Sequence, residues 1–137
     1  MLYLTTETDL AVGQPCQSHA QSPLTPHFAV VFEDDGQTGY FYALDTRNEQ
    51  QPIATALHIY NVDNVTDAQL LGKIQICWHH QQDIAVLFIN NYPHAAFHFG
   101  EKVGQSRNNG FPAPDENSGW QHTTLNEAQI NQWYEEE

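Results

Sequence analysis

Eight histidines stand in this chain at positions His19, His27, His58, His79, His80, His94, His98 and His122, and they are its most obvious candidates for metal binding or general-base chemistry. Both roles depend on spacing. No H-E-x-x-H occurs, and His94 and His98, although four apart, run from a proline-proximal turn into a strand. His79 and His80 are neighbours on an expected strand and so point to opposite faces. His58, His79 and His98 all fall on strand positions and could share one sheet face. That is the arrangement left for a His/carboxylate metal-dependent enzyme or metal-binding module; the expected state is ordinary solvent-facing or hydrogen-bonded imidazoles, with no metal and no cofactor.

Nucleophiles are equally sparse. Cys77 lies in the apolar run Ile74 to Trp78, where burial makes a thiol inert, and Cys16 lies in an apparent loop. The chain lacks G-x-S-x-G, a phosphate-cradling G-x-x-x-x-G-K-[ST] and G-x-G-x-x-G. Its carboxylates cluster in turns, where water keeps them ionised, so nothing marks an acid/base pair. A non-catalytic protein is expected.

Binding chemistry is better represented. Glu33, Asp34 and Asp35 form a negative knuckle, and Trp120 lies in a polar stretch with Phe111, Asp115 and Glu116, an aromatic anchor flanked by acid. Four Lys plus Arg against 17 Asp plus Glu give a formal net charge of -13. Such a field repels nucleic acid and anionic lipid and steers a basic partner inward. Candidate partner-binding residues are therefore Asp34, Asp35, Asp115, Glu116 and Trp120. A small-molecule-binding sheet domain is the further alternative, with an aromatic-lined pocket as its expected sign.

These residues need a scaffold. At 137 residues the chain fits one domain, able to bury roughly two-thirds of its unfolded surface, and its 12% aromatic content suits a folded core. Met1 to Val12 offers one edge strand, and Gly13 to Pro26, with Pro15, Pro23 and Pro26, reads as a loop. Phe28–Phe32 and Tyr40–Leu44 flank Asp35-Gly36 as a β-hairpin. Alternation continues through Ile53–Val62 and Lys73–His80, followed by the apolar run Ile84–Ile89 and by Ala95–Phe99. Asp63–Gly72 suits a loop with a helical turn. The spacing thus predicts an α+β domain: one meandering, largely antiparallel sheet over about 27–100, a long loop over about 101–122, and a C-terminal α-helix over about 124–135 packed on the sheet. In that helix Thr124-Leu125-Asn126-Glu127 matches a capping box, and Ile130, Trp133 and Tyr134 share the inward face.

The N-terminus, Met1-Leu2-Tyr3-Leu4 turning polar at Thr5, lacks the basic segment and long apolar run of a signal peptide, and no stretch approaches the roughly 20 apolar residues of a membrane span. Two distant cysteines imply no disulfide framework. A cytoplasmic protein is expected.

Over His27–Ala43 and Ala56–Val62 the chain resembles a small family of uncharacterised bacterial proteins that are similar to the immunity proteins encoded beside polymorphic or contact-dependent toxins. The resemblance implies an acidic immunity-type inhibitor that neutralises a basic toxin, such as a nuclease, by stoichiometric binding. It brings no catalytic residues with it.

Overall fold

Period-two alternation builds strands wherever apolar residues recur on one face, and here it does so twice over. The computed structural model describes residues 2–65, 72–107 and 119–135. The chain starts in β1 (Leu2–Leu10) and then builds a four-stranded antiparallel meander from β2 (Cys16–Gln21), β3 (Phe28–Asp34), β4 (Thr38–Asp45) and β5 (Ile53–Asn61). After a 3₁₀ turn at Val62–Asn64 it forms β6 (Gly72–His79), β7 (Ile84–Ile89), β8 (Tyr92–His98), β9 (Val103–Ser106) and β10 (Gln121–Thr124), then α1 (Glu127–Glu135). These later strands join β1 in a six-stranded sheet of order β1-β6-β7-β8-β9-β10. Its pairs are antiparallel except β9 with β10, which is parallel.

The expected α+β class is thereby corrected: the protein is mostly β, two sheets and not one meander, with a helix of only nine residues. Alternation is the same whether strands lie in one sheet or two, so it carries no information about the crossing between β5 and β6. Strand also extends beyond the expected limits. β2 occupies the expected loop before Pro26, and β9 and β10 fall inside the expected loop 101–122, in polar stretches held by backbone pairing. The helix starts later than expected because Thr124 is held in the ladder opposite Ser106. Asn126 takes over as cap, its Oδ1 accepting the Gln129 N–H at 3.1 Å. The side chains of Trp133 and Tyr134 lie outside the described residues.

Two layers of apolar side chains follow. Between the sheets, Phe32, Phe41 and Leu57 meet Ile74, Ile76, Trp78, Leu87 and Phe97, all fully buried. Phe41 stacks on Phe97 with centroids 5.0 Å apart. Burying each such side chain contributes about 1.5–3 kcal/mol. On the outer face of the larger sheet, Cys77, Val86, Phe88 and Ala96 are covered by Leu125 and Ile130. Arg107 fixes the start of the helix, donating to the Pro93 carbonyl from Nη2 at 2.7 Å and pairing with Glu127.

Hydrogen bonds stitch the sheets together at their margins. Ser18 donates to Thr8 at 2.8 Å and Thr6 to the His19 carbonyl at 3.0 Å, joining β2 to β1. Thr55 meets His122 Nε2 at 2.9 Å, joining β5 to β10. Asp83, in the β6–β7 turn, accepts from Ser22 and Thr25, both at 2.6 Å.

The most buried of these links is Asp34, 1% exposed. Its Oδ2 accepts the Gly13 N–H at 2.8 Å and the Tyr60 hydroxyl at 2.7 Å, and its Oδ1 accepts the Gly36 N–H at 2.8 Å. Gly13 and Gly36 present those N–H groups from φ of +88° and +98°, conformations that favour glycine. One carboxylate thus ties the β1–β2 turn, the β3–β4 turn and β5. Asp34→Ala strands its donors and is expected to cost about 3 kcal/mol, with Asp34→Asn costing about 2. Urea denaturation checks this as a lowered midpoint at constant slope; an unmoved midpoint would remove the network from the supports of the fold.

Candidate functional site

Strand geometry sends the three acids of the knuckle in three directions. Asp34 shares the parity of Val30 and Phe32 and turns into the core, so its carboxylate is not offered to a partner. Asp35 stays exposed and closes the turn, its Oδ1 accepting the Gln37 and Thr38 N–H groups at 2.9 and 2.8 Å. Those bonds hold its carboxyl below the usual range, so it remains charged at neutral pH. Glu33 points to the outer face of the four-stranded sheet.

That face is built from two cross-strand rows. Gln17, Glu33, Tyr40 and His58 are successive partners across all four strands, and His19, Val31, Tyr42 and Ala56 form the row beside them. Glu33 holds the rows together: Gln17 Nε2 donates to one oxygen at 2.7 Å and the Tyr42 hydroxyl to the other at 2.9 Å. Burial and then that bond raise the Tyr42 hydroxyl well above its ordinary range, so it stays a protonated donor. Tyr40 stacks on Tyr42 with centroids 5.7 Å apart and meets His58 edge-on at 5.7 Å. Tyr40 and Tyr42 are partly exposed on this face, whereas His58 beside them is buried. Tyr40 and Tyr42 alternate with the buried Phe41 and Ala43, and that parity, a property of the sequence itself, marks them as outward.

Trp120 is only 7% exposed and packs edge-on against Phe97 and Phe99, at 5.8 and 5.6 Å between centroids. It serves the core. Phe111, Asp115 and Glu116 lie outside the described residues; of the expected binding residues that are described, Asp34 and Trp120 are buried and Asp35 is exposed.

The three strand histidines do not converge. His58 is on the four-stranded sheet, where its Nε2 meets Asn61 Oδ1 at 2.9 Å; His79 and His98 are on the other sheet, bonded to the Gln81 N–H and to Gln105. Among the described residues no group of three His, Cys, Asp or Glu side chains is placed to hold a metal ion. His79 and His80, expected on opposite faces, stack at 4.7 Å because the strand ends at His79 and the chain bends. Cys77 is buried, and desolvation pushes its thiol up to about 11. Cys16, expected in a loop, lies half-buried in β2, with its thiol raised chiefly by burial.

Fold and face together define a small two-sheet β protein with one sheet surface of tyrosine, histidine and carboxylate. The chain belongs to the family DUF2251, described as an uncharacterized protein conserved in bacteria, which matches residues 10–134. It is 47% identical over 133 residues to an uncharacterized protein of Haemophilus influenzae, an alignment covering 97% of this chain and 82% of that one. No solved structure matches it. No helix among the described residues is long and apolar enough to cross a membrane.

Two outcomes follow from these environments. A thiol-specific reagent at pH 8 is expected to modify Cys16 in the native protein and Cys77 only on unfolding; equal rates at both would show that Cys77 is accessible. Burial, with Arg107 adding to it, pushes His94 down to about 4, against 6.5 for an ordinary histidine. Between those values the unfolded chain binds the extra proton, so this contribution to stability is complete above pH 6.5 and falls as pH drops towards 4, by on the order of 2 kcal/mol. His94→Gln is expected to flatten that limb in urea titrations at successive pH values; an unchanged limb would assign the loss to other groups.

Proposed function

We propose that this chain is a non-catalytic, cytoplasmic binding protein, an immunity-type inhibitor that neutralises a basic toxin domain, such as a nuclease, by one-to-one binding. The observation that carries the proposal is the outer face of the four-stranded sheet, where the partly exposed Tyr40 and Tyr42 stack on each other beside Glu33 in adjoining cross-strand rows. Tyrosines supply large contact area at low entropic cost and are enriched among interface anchors. Here they are pre-ordered by stacking and by Glu33, so little freedom is lost on binding. The net charge of -13 adds long-range attraction for a basic surface, and Asp35 sets a fixed charge at the hairpin tip beside the face. A nuclease must attract phosphate, so its cleft is a natural target for an acidic surface.

Support would come from retention of a basic protein at equal stoichiometry on the immobilised chain, in lysate of a bacterium carrying a member of the family, together with suppression of that protein's toxicity in vivo. The double substitution Tyr40→Ala/Tyr42→Ala is expected to weaken binding about 30-fold, the cost of losing one hot-spot residue or more, and Glu33→Lys to slow association most at low salt. Unchanged affinity in both variants would move the interface off this face. Failure of the wild-type chain to retain any basic protein would count against the inhibitor itself.

A further inference from the structure

At the end of the sandwich where β3, the β4–β5 connection and the β8–β9 turn meet, the structure holds a cavity of about 390 Å³, separate from the tyrosine face. A volume of that order takes a small organic molecule. Its apolar wall is Phe28 stacked on Phe99 at 4.6 Å, with Trp120 edge-on behind and Ile53 at the rim. Ile53 is 44% exposed, a large apolar side chain left in water beside a cavity that a flat ring could share with it.

The charge of this cavity runs against that of the molecule. Only four Lys and Arg side chains exist in the chain, against 17 acids, yet Arg47 and Lys102 both line this space, and among the described residues Asp45 is the only carboxylate that does. Arg47 is oriented by that carboxylate, with Nε and Nη2 donating to its two oxygens at 3.0 and 2.7 Å, and the guanidinium carbon lies 5.6 Å from the Phe28 centroid. Lys102 is held at φ +56°, a left-handed conformation uncommon for a residue other than glycine. With Asp45 offset by Arg47, Lys102 leaves the described residues of the lining one positive charge in excess.

We propose that this cavity is a binding site for a small planar aromatic ligand bearing one anionic group, the ring lying against Ile53 and the edge of Phe28 and the anion reaching Lys102 and the outer edge of Arg47. An aromatic floor alone would accept any apolar ring; the locally inverted charge selects an anion. Protein anions would meet repulsion from the rest of the surface, whereas a small ligand can enter once the distant charges are screened, beyond about 8 Å at physiological salt.

The proposal is tested on the full chain at physiological salt by calorimetry and ligand-observed NMR, with four probes: phenylacetate, phenyl phosphate, phenylacetamide and acetate. Binding of at least one of the two aromatic anions, with phenylacetamide and acetate both weaker by about tenfold or more, is the expected pattern, since a charge-assisted hydrogen bond is worth about that factor. Which anion is preferred separates a carboxylate ligand from a phosphate one. Lys102→Gly removes the amine at a backbone conformation that glycine favours, so the variant is expected to keep its melting temperature while losing about tenfold in affinity for the anion and nothing for the amide. Equal binding of anion and amide, unchanged anion affinity in Lys102→Gly, or no binding of either aromatic anion at millimolar concentration would each overturn the proposal.

Discussion

A buried carboxylate that must find three donors organises this fold. Taking Asp34 out of water is costly unless its oxygens are satisfied, and the groups that satisfy them come from three separate parts of the chain, Gly13, Gly36 and Tyr60. Those parts are the exit of β1, the β3–β4 turn and the end of β5, where a register shift after Gly39 lets Tyr60 reach inward. The four-stranded sheet can thus seat against β1 in few ways that leave Asp34 satisfied. Apolar packing supplies most of the stabilisation, but it tolerates sliding; the carboxylate does not.

The same logic of one side chain serving several segments recurs at the opposite end, where Asp83 accepts from Ser22 and Thr25. Both acids would be counted as surface charge from composition alone. Their placement divides the acidic complement into residues that hold the sheets together and residues such as Glu33 and Asp35 that give the outside its character.

Much of the local structure was legible. The hairpin over Phe28–Asp45 is marked by its Asp-Gly turn, and the run Ile84–Ile89 is the fully buried strand its composition implies. The polar strands were not legible, because Cys16–Gln21 and Val103–Ser106 bury mainly small residues, Gln121–Thr124 buries none, and all three are held by backbone pairing and not by an apolar pattern. Nor was the division into two sheets, since alternation specifies a face and not a partner. At the candidate site both the residue types and their directions are readable from the sequence. Parity with Val30 and Phe32 already places Asp34 inside, and parity with Phe41 already places Tyr40 and Tyr42 outside.

The pairing of β1 with β6 bears on how the protein is made. Leu2 lies opposite His79 and Leu10 opposite Gly72, so β1 has its partner only after the whole four-stranded sheet has been synthesised. At translation speeds of about 5–20 residues per second that interval lasts several seconds. Through it Tyr3 and Leu4, half exposed even in the finished fold, sit on an unpaired strand open to aggregation. Glu7 and Asp9, further along the same strand, provide the charges that keep such a nascent edge soluble until Lys73 arrives to pair with Glu7 at 3.2 Å.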